Sequence, residues 1–166
     1  MAGQIWVAAG NRIGIMTANG FIDRTPASGS PLHEIHQIIP ARDGSLWIWD
    51  GQELRKMDNG QWTLTAPDFH PPPNHEPLRF FVDSQGGLWV IEYGTGIWHV
   101  SADGTTDLLT PENGLPSKFI TCWREDNEGN IWIGTKEAGL ARIRRKIFKG
   151  VHRSRRHSRR RGANRM

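Results

Sequence analysis

The side chains best equipped for chemistry fall in short clusters. His33-Glu34-Ile35-His36 offers two imidazoles and a carboxylate to a metal ion. It is not the His-Glu-x-x-His helix motif, and on a strand residues three apart point to opposite faces, so no metal site is expected there. His70-Pro71-Pro72-Pro73-Asn74-His75 sets two imidazoles on a stiff polyproline-like loop. Metal or ligand binding is open to it, and a solvated loop between repeats is the simpler reading. Asp126-Asn127-Glu128-Gly129 faintly resembles a calcium loop. Its glycine comes fourth rather than sixth, and Glu137 belongs to another turn, so a β-turn is expected. Cys122 is the only cysteine, which leaves no internal disulfide. It lies in an apolar run and reads as a buried small residue rather than a nucleophile. No nucleophile elbow, phosphate loop or dinucleotide fingerprint occurs. No catalytic residue, no metal and no cofactor is expected.

The elements that must position any site come from a repeat. Gly3-Gln4-Ile5-Trp6, Gly44-Ser45-Leu46-Trp47, Gly86-Gly87-Leu88-Trp89 and Gly129-Asn130-Ile131-Trp132 share one pattern, and the Trp residues stand at intervals of 41, 42 and 43. A period of roughly 40 residues holding several short strands is the signature of a β-propeller blade. Asn19-Gly20, Asp43-Gly44, Asn59-Gly60 and Asp103-Gly104 are hairpin dipeptides. Ile35 to Ile39, Leu78 to Val82 and Phe119 to Trp123 are apolar runs suited to an innermost strand buried on both faces. All four repeat Trp rings are expected to fill the space between blades. The fold class is therefore all-β: a partial β-propeller of about three and a half to four four-stranded blades, with a disordered basic C-terminal tail. The blades span about 1–26, 33–68, 77–110 and 117–148, and the tail 149–166.

At the fourth repeat the match becomes specific. Asn113-Gly114-Leu115-Pro116-Ser117-Lys118-Phe119-Ile120 leads into Glu125-Asp126-Asn127-Glu128-Gly129-Asn130-Ile131-Trp132-Ile133-Gly134-Thr135 and Ala138-Gly139-Leu140. This closely resembles the two-component regulator propeller repeat. The other repeats match more weakly: Ile91-Glu92, Trp49-Asp50 and Ala8-Ala9 replace Gly-Thr. The resemblance implies a seven-bladed propeller on the extracytoplasmic, periplasmic side of a bacterial membrane-bound histidine kinase. It implies detection of a ligand, often a carbohydrate, with the kinase chemistry in other domains.

Propeller geometry directs attention to the loops joining second to third strands, and each fourth strand to the next blade. Asn11, Arg12, Trp49, Asp50, Glu92, Tyr93, Lys136 and Glu137 sit there. Trp49 and Tyr93 suit sugar stacking at a polar rim; rim packing between blades is the plainer alternative.

At about 42 residues per unit, 166 residues supply just under four blades. The expected partners are therefore the remaining blades of a longer propeller or a second copy, with closure of four irregular blades as the other route. Unpaired edges are association templates, so a stable closed monomer is not expected. No apolar stretch of 18 residues and no basic-then-apolar leader is present.

Charge is split along the chain. Residues 1–141 hold nine Lys/Arg against seventeen Asp/Glu, whereas residues 142–166 hold twelve basic residues and no acid. Residues 149–166 should be disordered by self-repulsion. Three readings stand for this tail: a shifted reading frame, an inert solvated tail, or an arm for nucleic acid or an anionic membrane. The favoured function is a non-catalytic ligand-sensing or protein-interaction propeller. A basic-tailed nucleic-acid or membrane binder and a propeller hydrolase or lyase are the alternatives.

Overall fold

The structure, a computed structural model, describes residues 4–27, 31–66, 68–70 and 78–143. The expected disordered tail at 149–166 and most of the proline-rich loop, 71–75, lie outside the described residues.

Four antiparallel sheets follow one another along the chain. Blade 1 holds β1 (Ile5–Ala9), β2 (Arg12–Thr17) and β3 (Gly20–Asp23). Blade 2 holds β4 (Gln37–Pro40), β5 (Leu46–Trp49), β6 (Leu54–Asp58) and β7 (Gln61–Thr65). Blade 3 holds β8 (Leu78–Val82), β9 (Leu88–Glu92), β10 (Gly96–Val100) and β11 (Thr106–Leu109). Blade 4 holds β12 (Ile120–Glu125), β13 (Ile131–Thr135) and β14 (Leu140–Ile143). Strands in each sheet are ordered as in the sequence, so every connection within a blade is a hairpin. This is the propeller arrangement, with three strands described in each of the first and fourth blades.

The repeat Trp is the second residue of β1, β5, β9 and β13 alike. The turn before it is built the same way in blades 2, 3 and 4. The glycine three residues before the Trp has positive φ: 87° at Gly44, 82° at Gly86 and 77° at Gly129. Its N–H bonds back to the carbonyl of Ala41, Asp83 or Asp126. A side chain is disfavoured in that backbone conformation, which explains the recurrence of glycine.

Strand parity decides what each blade shows its neighbours. Trp6 packs with Leu46, Ile48 and Met57 of blade 2. Trp47 packs with Leu88, Val90 and Val100 of blade 3. Trp89 packs with Ile131, Ile133 and Ile143 of blade 4. Each indole thus points forward onto aliphatic residues that flank the next indole. Phe69 knits blades 2 and 3 through edge-on contacts with Trp49 at 5.3 Å and Trp98 at 5.4 Å.

Three expectations need correction. The first strand of each blade is not the most buried: β8 is half-buried, while β5 and β9 are buried along their whole length. The first strand is an edge with one partner, whereas the second is flanked on both sides. Trp47 and Trp89 are fully buried, but Trp6 and Trp132 are half-buried. Cys122 is exposed. It pairs with Gly134, which shares the parity of Trp132, so it lies on the face of blade 4 turned away from blade 3.

Candidate functional site

The seven ligand-face candidates do not form one cluster. Three are buried and engaged in packing, Trp49 between blades and Asp50 and Glu92 within their own. Trp49 is buried against Phe69. Asp50 accepts backbone N–H bonds from Glu53 at 2.7 Å, Gln52 at 3.1 Å and His33 at 3.1 Å, and Arg55 lies 4.0 Å away. Burial pushes the Asp50 carboxyl up, but those N–H groups and the Arg55 guanidinium outweigh it, and its pKa lies below the ordinary value. Glu92 is fully buried and accepts the Trp98 indole N–H at 3.0 Å. Arg12 is exposed and pairs with Asp23 at 2.6 Å.

The remaining three, Tyr93, Lys136 and Glu137, are exposed at the junction of blades 3 and 4. Tyr93 is 49% exposed. Its ring lies 5.2 Å from that of Phe119, tilted by 52°. The Lys118 ammonium stands 5.5 Å from the Phe119 ring centre. Two backbone bonds latch this corner: Gly94 N–H to the Lys118 carbonyl at 3.1 Å, and Lys136 N–H to the Phe119 carbonyl at 2.9 Å. The turn after β9, the segment entering β12 and the turn after β13 thus meet in one place. The outcome is a corner where exposed Tyr93 meets half-buried Phe119, with the Lys118 ammonium beside the ring and exposed Lys136 on the adjoining turn. Such a surface can stack the apolar face of a ring and hydrogen-bond its periphery. Sequence reasoning found Tyr93 and Lys136 but passed over Lys118 and Phe119, because Phe119 opens an apolar run and reads as core.

His33 and His36 are not a pair of ligands. His33 N–H and Nδ1 both approach Asp50 Oδ2, at 3.1 Å and 3.4 Å. The His36 ring packs against Gly51. Asp126 forms a turn, as its sequence reads. It accepts from the backbone of Glu128 and Asn130 and from the Trp132 indole at 2.7 Å. The indole bond first, then Asn130, hold its pKa down to about 2.

A second regularity was invisible in sequence. The partner of each repeat Trp on the strand that follows it is Ile15, Lys56, His99 and Arg142 in turn. In blades 2 and 4 a cation lies over the indole: Lys56 Nζ at 5.6 Å from Trp47 and the Arg142 guanidinium at 5.5 Å from Trp132. In blade 3 the His99 ring sits 4.2 Å from that of Trp89. Blade 1 has Ile15 there and, among the described residues, no such cap.

Residues 114–137 match the family described as two component regulator propeller, which bears out the resemblance read at the fourth repeat. No curated protein matches the chain. Among solved structures, the chain is similar to an extracellular domain described as that of a hybrid two component system from B. thetaiotaomicron (17% identity, TM-score 0.54, 88% of this chain and 20% of that one). A second such domain from the same organism aligns at 18% identity and TM-score 0.52, over 86% and 21%. Virginiamycin B lyase from Staphylococcus aureus aligns at 18% identity and TM-score 0.53, over 86% and 52%. At these identities the likeness shows the propeller fold. The chain spans about a fifth of the length of the two sensor domains and about half that of the lyase.

Proposed function

We propose that this chain is part of a ligand-recognising propeller of a two-component-type sensor, working on the extracytoplasmic side of a membrane and catalysing nothing itself. The observation that carries this reading is the contact of exposed Tyr93 with half-buried Phe119, with Lys118 beside it and Lys136 on the adjoining turn. Three of the four residues of that patch, Lys118, Phe119 and Lys136, belong to the segment matching the regulator propeller family. The ligand class that fits is a carbohydrate or similar small ring: one apolar face for the aromatic pair, hydroxyls or an anionic group for the lysines. Of the acidic candidates on this side, Glu137 is exposed at the corner and the other two are committed to packing, which supports recognition over catalysis. Asp50 and Glu92 are buried, and each is held by N–H donors that serve packing. Among the described residues, no helix is long and apolar enough to cross a membrane.

Calorimetric titration against a panel of neutral and acidic oligosaccharides tests the proposal. Saturable binding is expected, weakened at least about tenfold by Tyr93→Ala, a loss of about 1.4 kcal/mol. Thermal stability should be little changed, since Tyr93 is half exposed. Binding that Tyr93→Ala leaves intact, or no binding across the panel, would remove this face from consideration.

A further inference from the structure

The absent cap over Trp6 leaves a space that the other blades fill. A cleft of about 490 Å³ opens between blades 1 and 2, walled by Trp6, Ile15, Leu46 and Met57. A pocket on blade 3, where His99 lies over Trp89, holds about 210 Å³ and is lined by residues of that blade alone. In blade 2 the Lys56 side chain reaches toward Asp43 at 3.4 Å and toward the Gly86 turn of blade 3. Ile15 stands at the same register position but is too short to do this. The larger cleft is within the size range of small-molecule sites. It is also remote in kind from the Tyr93 corner. Its mouth is formed by the Gly44 turn and the Asn59-Gly60 hairpin, on the opposite side of the sheets from the turns after β9 and β13.

The charge inside the cleft follows from strand register. Asp23 pairs with Gly14, which pairs with Val7. That parity is opposite to Trp6 and Ile15; Asp23 still borders the cleft, but its carboxylate is neutralised by Arg12. Arg24 bonds through its N–H to the Ile13 carbonyl. It therefore shares the face of Ile13, Ile15 and Trp6 and lines the cleft. Among the described residues the Arg24 guanidinium has no ion-pair or hydrogen-bond partner. Gln4 and Asn59 add exposed amides at the rim. The cleft thus offers an apolar floor with one indole face, two amides and one unneutralised guanidinium.

We infer that this interblade cleft is a binding site for a small ring-bearing carboxylate. The ring lies on Trp6 and Ile15, and the carboxylate pairs with Arg24 in the two-pronged geometry a guanidinium offers. A cationic ligand would face Arg24 with the bordering Asp23 carboxylate already paired to Arg12, and a neutral ring would leave the guanidinium unused. The inference does not depend on the Tyr93 face.

The test uses the full chain, with phenylacetate and D-glucuronate as carboxylate probes and phenylacetamide and D-glucose as neutral counterparts. Titration calorimetry should show one saturable site for at least one carboxylate, with Kd about 1 mM or tighter, and at least tenfold weaker binding of its neutral counterpart. Arg24→Gln should weaken the carboxylate at least tenfold and leave the melting temperature within a degree or two. Ile15→Arg copies the cap that Arg142 forms over Trp132. It adds positive charge but fills the cleft, so binding should be lost. Tighter binding by Ile15→Arg would mean unspecific attraction to positive charge and would overturn the site. So would unchanged binding by Arg24→Gln, equal binding of the neutral probes, or no saturable binding by either carboxylate. Should Ile15→Arg fail to fold, Arg24→Gln and the neutral probes still decide.

Discussion

Ala41 stands six residues before Trp47 and leaves its buried indole N–H without an acceptor among the described residues. In the next two blades the same place holds Asp83 and Asp126, which accept the indole N–H of Trp89 at 2.9 Å and of Trp132 at 2.7 Å. The backbone is ready for the acid in all three. The N–H of Ala41, Asp83 and Asp126 bonds the carbonyl four residues on, at 2.9, 2.9 and 3.0 Å.

Ala41→Asp should therefore stabilise the chain, by about 1 kcal/mol, the usual net worth of a buried hydrogen bond. Lys56, already over the Trp47 ring, supplies a nearby positive charge. Asp83→Ala should cost about 1–3 kcal/mol by orphaning Trp89. Urea unfolding of the two variants beside the parent measures both. A destabilised Ala41→Asp would show that the turn of blade 2 cannot seat the carboxylate.

The four repeat Trp residues should not be equal in weight. Trp89 is fully buried between blades 3 and 4, so Trp89→Ala should cost roughly 3–5 kcal/mol as a large-to-small core change. Trp132, half-buried on the outward face of blade 4, should cost less than half of that. Equal losses would mean that something covers the outward face in solution.

Acid should loosen the fourth blade. The Asp126 carboxyl is held down to about 2 from an ordinary 3.8. A lowered folded-state pKa contributes stability that is fully present above the unfolded value and is lost as pH falls through the folded one. The contribution of Asp126 should therefore persist above about pH 4 and fade between about 4 and 2. Asp126→Asn should flatten that part of the stability–pH curve. A curve of unchanged shape would show that Asp126 is not responsible.

Self-association should depend on concentration. Ile5 is 64% exposed on the face of blade 1 turned away from blade 2, and Leu140 is 68% exposed on the outward face of blade 4. Inside the molecule an indole meets an aliphatic set three times over. The outward faces, with Trp132 on one and Ile5, Val7 and Met16 on the other, repeat the two halves of that contact. Sedimentation at several concentrations should show mass rising with concentration, reduced by Ile5→Lys and by Leu140→Lys. A monomer independent of concentration, for parent and variants alike, would rule out this contact.

Residue order alone dictates the repeat, the blade architecture, the placement of Trp6, Trp47, Trp89 and Trp132 at equivalent strand positions, and the turns that need glycine. These are local matters. A period, a strand parity and a positive φ are set by neighbours in the chain, and each recurs often enough to be read. It also pointed to Tyr93. Tertiary structure alone decided burial and company. Asp50, Glu92 and Tyr93 all occupy the turn region after a second strand, yet two are buried in packing contacts and one faces water, because that depends on which segment arrives from the next blade. Phe119 reads as core until β12 docks and leaves its ring beside Tyr93. The cap over each indole is set by hairpin register, so Lys56, His99 and Arg142 are ordinary polar residues in the sequence. In space they mark, by contrast, the one indole among the four that Ile15 leaves uncapped.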